Sequence, residues 1–543
     1  MWRLPTRSVV VFLVSAVTAN AGSLALAAQP GSGVRVEIRV AAGARSDAVT
    51  GMVYLAISRD GQSTPIQQTG PEGAPLFSKY VEALTPGDEV TFDGRDRGHP
   101  VASLRDIPAG DYWVQAFVNV YTQFKRADGH TVWLHMDQWE GQDWKRSPGN
   151  LYGDPVKVHL DPAAPVAIRL VADKVIPPIA LPADTDMVKR IRIQSRILTR
   201  WWGHPIFLGA TILLPRGYAE HPDVHYPVNY IQGHFSLAAP GGFGSGGEFD
   251  ALWNGADTPR FIYVTLQHPS PYYDDSYGVN SANNGPYGDA IMAELLPAIE
   301  ARFRVIAQPW ARMLSGGSTG GWIALAHQVF YPDFYGGSFA SCPDSVDFNY
   351  HQIVNVYTEP NAYAIAHDWT AVERPTRRRP DGNVVSTMRD ENHFELTVGD
   401  KSRSGGQWDI WEATYSPVGA DGYPLPIWNK ETGAIDHAVA ATWKKYDLLD
   451  VLRVNWTSLG PKVAHKLNVY VGDMDSYYLN DAVENLHAFL AKADHPKWTG
   501  EIVFQRRAPH CWGPGSADLL AKMAAQVEGS APTEADTASW RYR

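Results

Sequence analysis

One serine stands where an activated alcohol would be expected. Ser318 is the centre of a G-x-S-x-G match within Leu314-Ser315-Gly316-Gly317-Ser318-Thr319-Gly320-Gly321. A short strand pattern, Arg312–Ser315, leads in, and an apolar helical pattern, Trp322–Tyr331, leads out, which is the strand–turn–helix setting that lifts such a hydroxyl clear of a sheet edge. Larger side chains at Gly316 or Gly320 would collide with the neighbouring strand and helix. A hydroxyl becomes a useful nucleophile only when a base removes its proton, so a histidine and an orienting acid are required.

Of the 18 histidines, His510 has the favoured position, in Ala508-Pro509-His510-Cys511-Trp512-Gly513, just beyond the last strand pattern, Glu501–Arg506. His465 and His487 lie before a strand and within a helix. For the acid, Gly472-Asp473-Met474-Asp475 leaves the strand pattern Leu467–Val471. Asp475, further into the loop, is preferred, and Asp473 is the better residue to hold the turn. Asp344, beyond the strand Gly337–Ser341, is a third candidate. Acyl transfer also needs fixed donors for a developing oxyanion. The N–H of Thr319 is one, and His234 or Phe235, after the strand Val228–Ile231, supplies a second.

These side chains need a sheet to present them. From Phe207 onward, continuous apolar runs (Phe207–Leu214, Val228–Ile231, Phe261–Leu266) alternate with helical patterns (Asp289–Phe303, Gly320–Tyr331, Asn480–Ala493), which predicts a largely parallel sheet. The rhythm stops between about 349 and 448, a stretch rich in Trp, Pro and Gly that predicts an insertion over the sheet; its triplet Arg377-Arg378-Arg379 is taken as a solvated loop. Before it, from Val34 to about Val175, short alternating runs with turn residues between them predict antiparallel strands of a sandwich, ending at the Pro-rich linker 175–182.

Composition narrows the classes. The chain has 543 residues, 44% hydrophobic, with 19 Trp and 25 Tyr and a formal charge of −11. That is ample core material, and there is no overall basic field to capture nucleic acid. Arg3 and Arg7, the apolar run Val9–Val17 and Ala25-Leu26-Ala27 form an export-signal pattern. The expected layout is a signal at 1–28, a β-sandwich domain at 29–182 and an α/β domain at 183–543, in a protein that is exported, periplasmic or secreted, and free of the membrane once the signal is removed. No zinc spacing, phosphate loop or dinucleotide fingerprint appears, so neither metal nor cofactor is expected.

Gly-Gly-Ser318-Thr-Gly-Gly-Trp, the upstream Glu294-Leu-Leu-Pro297-x-Ile299-Glu300, Gly472-x-x-Asp475 and the late His510 followed by Trp512 resemble the putative-esterase branch of the α/β-hydrolases, over about 207–346 and 466–512. That branch includes feruloyl and other carbohydrate esterases, formylglutathione hydrolase and enterochelin esterase. The resemblance implies an α/β-hydrolase fold with Ser318 as nucleophile, Asp475 as acid and His510 as base, and the all-β segment ahead of it is similar to the enterochelin-esterase layout. The insertion of about 100 residues departs from the pattern. Some feruloyl esterases and tannases brace the histidine with an adjacent cystine, and Cys342 and Cys511 would meet at the carboxyl edge of the expected sheet. An exported serine hydrolase acting on carboxylic esters, carbohydrate-linked or aromatic, small or polysaccharide-borne, is therefore expected. The alternatives are a secreted binding protein on an inactive scaffold, or an acyltransferase or peptidase of the same fold.

Overall fold

A computed structural model describes residues 33–543, so the signal assigned to 1–28 lies outside the described residues. The N-terminal strands form two sheets. One has three strands, Val166–Ala172, Val34–Val40 and Glu89–Phe92; the other has eight and is built on Val49–Ser58 and the long strand Gly110–Lys125. Alternation in Val34–Val40 sends Val36, Ile38 and Val40 into a core shared with Val53, Leu55, Ile57 and Phe77 of the other sheet. One pairing departs from the expected antiparallel pattern: Val34–Val40 runs parallel to Val166–Ala172, in register from Val34↔Val166 to Val40↔Ala172. The long chain between these strands supplies the crossover that a parallel pair requires.

Val49–Ser58 is buried along its whole length. Its second face, with Met52, Tyr54 and Ala56, packs with Trp144 and with Phe394 and Val398 of the helix Met388–Val398. The Tyr54 hydroxyl donates to the Val398 carbonyl at 2.5 Å. Both faces of this strand are thus apolar for different reasons, and the N-terminal strands hold a part of the later insertion.

The second half carries an eight-stranded sheet. Its strands are β1 (Val188–Ser195), β2 (Ile206–Leu213), β3 (Val228–Gln232), β4 (Ile262–Gln267), β5 (Arg312–Gly317), β6 (Gly337–Ser341), β7 (Leu467–Gly472) and β8 (Ile502–Gln505). The spatial order is β1-β2-β4-β3-β5-β6-β7-β8. Only β2 runs against its neighbours, and all other pairings beyond it are parallel. Parallel strands joined by helices put every β5-to-β8 exit loop on one edge, where a site assembles. Among the described residues, no helix is long and apolar enough to cross a membrane.

Between β6 and β7 the chain makes two hairpins, Ala364–Ala366 with Ala371–Glu373 and Pro375–Arg378 with Val384–Thr387, then the helices Met388–Val398, Gln407–Tyr415 and His437–Trp443. Trp408, Trp411, Trp428 and Trp443 pack around the buried ring of His351, whereas Trp369 is 96% exposed and takes no part. Inside the insertion, buried Glu395, Asp409 and Glu412 surround the Lys430 ammonium, which lies 3.1 Å from Asp409 and 3.7 Å from Glu412. Burial, with the charge of Asp409 beside it, raises Glu395 to about 8; burial raises Glu412 to about 7, against the pull of Lys430. A carboxyl whose folded pKa lies above its unfolded value stabilises the fold fully at low pH, and that contribution disappears as pH rises through the folded value. We expect the unfolding free energy to fall, and the melting temperature with it, as pH rises from about 4.5 to about 8, by at most about 1.4 kcal/mol per pH unit for each titrating carboxyl. Calorimetry at the two pH values, with Glu395→Gln flattening the slope, checks this.

Candidate active site

β5 ends at Gly317, and the helix Thr319–Phe330 begins two residues later. Ser318, between them, is held at φ 56° and ψ −123°, a conformation that a side-chain-bearing residue keeps only where its surroundings enforce it. Its N–H donates to Ser341 O on β6 at 3.1 Å. Backbone crowding explains the small neighbours. A Cβ at Gly316 would sit 2.4 Å from the Gly320 carbonyl group, and one at Gly320 would sit 2.0 Å from Gln232 O at the end of β3. Six other non-glycine residues with positive φ gather around this edge: Tyr277, Cys342, Gln352, Tyr478, Arg507 and Cys511.

His510, on the loop after β8, places Nε2 3.1 Å from Ser318 Oγ. Its Nδ1 lies 2.8 Å from Asp475 Oδ2. Asp475 is wholly buried, and its Oδ1 accepts the N–H groups of Tyr477 at 2.9 Å and Leu479 at 3.4 Å. Asp473 is used differently: its Oδ1 accepts the Arg507 N–H at 2.5 Å and holds the turn before the histidine. The Tyr477 ring stands edge-on to the imidazole, with centroids 4.8 Å apart. Cys342, following β6, and Cys511, next to His510, are joined by a disulfide across 169 residues of sequence. This bond ties the His510 loop to β6, the strand beside the one that leads into Ser318.

Asp344 occupies another place. Its Oδ1 lies 3.2 Å from Ser318 Oγ, and its Oδ2 accepts from Thr319 Oγ1 at 3.1 Å and from the Tyr277 hydroxyl. Burial raises its pKa, against the hydrogen bond from Tyr277. Its carboxylate therefore meets Ser318 rather than His510. Tyr277 also accepts from Trp411 Nε1 at 2.5 Å and from the Gln407 amide, so the insertion is connected through one phenol to the serine's surroundings. The run Tyr277–Tyr287 bonds to the insertion more than to itself: Ser281 Oγ donates to Ala413 O at 2.8 Å and Asn283 Nδ2 to Ser416 O at 2.9 Å.

Thr319 is the first helical residue and has no carbonyl one turn back to receive its N–H. The close approach of Gly320 to Gln232 and Gly233 puts the β3 exit loop against that helix start. In this loop His234 Nδ1 faces Asp274 Oδ1 at 3.1 Å and Asp275 Oδ2 at 3.6 Å. Burial lowers its basicity, but the Asp274 bond and the charges of Asp274, Asp275 and Asp344 lift it to about 9. The proton on Nδ1 thus fills the space between the two carboxylates. The Phe235 ring turns away and packs edge-on against Trp139 at 5.2 Å.

A cleft of about 560 Å³ opens over Ser318 and His510, and Tyr273, Trp408, Trp411, Gln352, Arg377 and Glu391 contribute to its walls. Pro71, from the N-terminal strands' side, completes its rim. Asp344's contact with the serine, Gln407 and the cleft polar groups Gln352 and Glu391 went unread in the sequence; they lie in loops and in the insertion, where no periodicity marks a residue's neighbours.

No curated protein matches the chain. Among solved structures, a ferulic acid esterase is 16% identical, with 60% of this chain and 92% of that one covered at a TM-score of 0.33. An S-formylglutathione hydrolase from Agrobacterium tumefaciens is 12% identical, covering 63% and 92% at 0.34, and the fluorophosphonate-binding serine hydrolase FphF of Staphylococcus aureus is 12% identical, covering 63% and 98% at 0.34. Residues 208–414 match the family described as Putative esterase, from within β2 to the helix after Gln407. Over that stretch, which is less than half of the chain, the sequence is similar to putative esterases.

Proposed function

We propose that the protein is an exported serine esterase working through Ser318, His510 and Asp475. The observation that carries this reading is the continuous chain Ser318 Oγ, His510 Nε2, His510 Nδ1, Asp475 Oδ2, with contacts of 3.1 and 2.8 Å. Ser318 Oγ attacks the ester carbonyl carbon while its proton passes to His510 Nε2. The imidazolium so formed is stabilised by buried Asp475 and then protonates the leaving alkoxide. Water repeats the sequence on the acyl-enzyme, delivering its proton to His510, and Ser318 leaves with that proton. The oxyanion of each tetrahedral intermediate is held by the N–H of Thr319 and that of His234 or Phe235, donors fixed before the reaction and so needing little reorganisation. No step requires a metal or cofactor.

The cleft supports carbohydrate-linked or aromatic esters: indole and phenol rings offer flat faces, and Gln352, Glu391 and Arg377 offer hydrogen bonds. Export agrees with the disulfide. The described part of the expected domain at 29–182 acts as an all-β unit that supports the insertion and the cleft rim. The test is hydrolysis of a panel of aryl acetate, feruloyl, acetyl-sugar and thioester compounds. Turnover of oxygen esters, fastest with the sugar or feruloyl members, is expected; a folded enzyme that turns over only thioesters, or none of them, would refute the substrate reading.

A further inference from the structure

The basic triplet of the insertion is not the solvated loop its charge pattern predicts. Arg379 is exposed, but Arg377 lies in the cleft wall, and Arg378 is half-buried against the loop that carries Asp475. We propose that Arg378 is a positioning residue for Asp475, gripping the acid's loop from the insertion; this rests on the triad reading above.

The contacts converge. The Arg378 N–H donates to Ser476 O at 2.8 Å, so the hairpin strand Pro375–Arg378 runs alongside the acid loop. Its Nε donates to the backbone carbonyl of Asp475 at 2.9 Å. Nη2 donates to Asn480 Oδ1 at 2.9 Å and reaches the carbonyl of Asp473 at 3.5 Å. The guanidinium lies 4.2 Å from the centroid of the Tyr478 ring, on the residue held at φ 62° before the helix Leu479–Leu490. A βα loop leaves such carbonyls without ladder partners, and each must find a donor. A planar fork of five N–H groups meets several at once, which a lysine cannot do.

The geometry gives this grip a catalytic consequence. Asp475 Oδ1 is already fixed by two backbone N–H groups of the same loop, so the carboxylate moves only as the loop moves. On the other side, Gly472 lies so close to the histidine loop that a Cβ there would come within 2.1 Å of Ala508 O. The disulfide pins the histidine loop to β6, and Arg378 pins the acid loop to the insertion. The hairpin is itself seated by Thr376 Oγ1 donating to Gln352 Oε1 at 2.7 Å. Removing the fork frees the acid's carbonyl without touching its carboxylate, so the chemical step should suffer while substrate binding does not.

The test compares wild type, Arg378→Ala, Arg378→Lys and Ser318→Ala on one aryl ester. Misplacing a reacting group by about 1 Å can cost roughly 100-fold, so Arg378→Ala should lose about 10- to 100-fold in kcat with KM within about twofold. Arg378→Lys should recover only part, and free guanidinium should restore several-fold of the Arg378→Ala rate, a rescue that a general loss of folding would not show. If Arg378→Ala does not accumulate as folded protein, Arg378→Lys is judged on the same split between kcat and KM. A kcat within twofold of wild type in the soluble variants, or a loss confined to KM, overturns the proposal. Full activity in Ser318→Ala would instead overturn the triad, so the two failures are distinguishable.

Discussion

Ser318→Ala is expected to abolish ester turnover, with kcat falling by about 10⁶-fold, the scale seen when a triad nucleophile is removed. The substitution takes away one oxygen and leaves the strained bend, which is fixed by the Ser341 carbonyl and by the packing of Gly316 and Gly320, not by the hydroxyl. Melting should therefore be nearly unchanged, and substrate should still bind in the cleft. Initial rates on the best substrate of the panel, with calorimetry beside them, separate loss of chemistry from loss of fold. A residual rate above that in water is expected, because the backbone donors around Thr319 remain.

The second large effect distinguishes the two aspartates of one loop. Asp475→Asn should lower kcat by about 10⁴-fold, and Asp473→Asn only slightly. The reason lies in the donors that each meets. Asp475 Oδ1 accepts two backbone N–H groups, so an asparagine would keep its carbonyl oxygen there and turn its NH₂ toward His510 Nδ1. Two donors then face each other unless the ring moves its proton to Nε2, and a ring protonated at Nε2 cannot take the serine's proton. At Asp473 the partner is the single N–H of Arg507, which an amide oxygen accepts equally well. A large loss in Asp473→Asn with a mild one in Asp475→Asn would show that the other carboxylate serves the histidine.

The residues that were legible were those whose chemistry is written in local pattern. Ser318 stands in a glycine-flanked bend between a strand and a helix, and His510 follows the last strand; both strands and the bend come from short-range sequence. β2, β3 and β4 read as apolar runs because sheet residues covered on both faces leave no alternation to misplace. What remained hidden depends on contacts between distant segments. Arg378 looked like an exposed basic residue, since nothing near it in sequence says that the carbonyls of Asp473 and Asp475 lie above it. Tyr277 sat in a loop with hydrogen-bonding neighbours, but its partners, Asp344, Gln407 and Trp411, come from two other segments. The same holds for Asp344, which sequence order offered as an acid for the histidine and which the fold sets against the serine. On the N-terminal side, the apolar second face of Val49–Ser58 is explained only by Val398 and Phe394, more than three hundred residues away.

These long-range contacts give the insertion a definite physical role. It is not a loose cover: it supplies two tryptophans to the cleft wall, a glutamine to the hydroxyl cluster beside Ser318 and an arginine to the acid loop, while the N-terminal sheet supports it from behind.

The most direct examination of the whole scheme is covalent. A fluorophosphonate reacts with a serine only when a base has made its oxygen nucleophilic, and mass spectrometry of the digested protein locates the adduct. One adduct per chain, on the peptide bearing Ser318, absent in Ser318→Ala and strongly slowed in Asp475→Asn, is the expected result. Folded wild-type protein that takes up no label, or carries it on another residue, would contradict it.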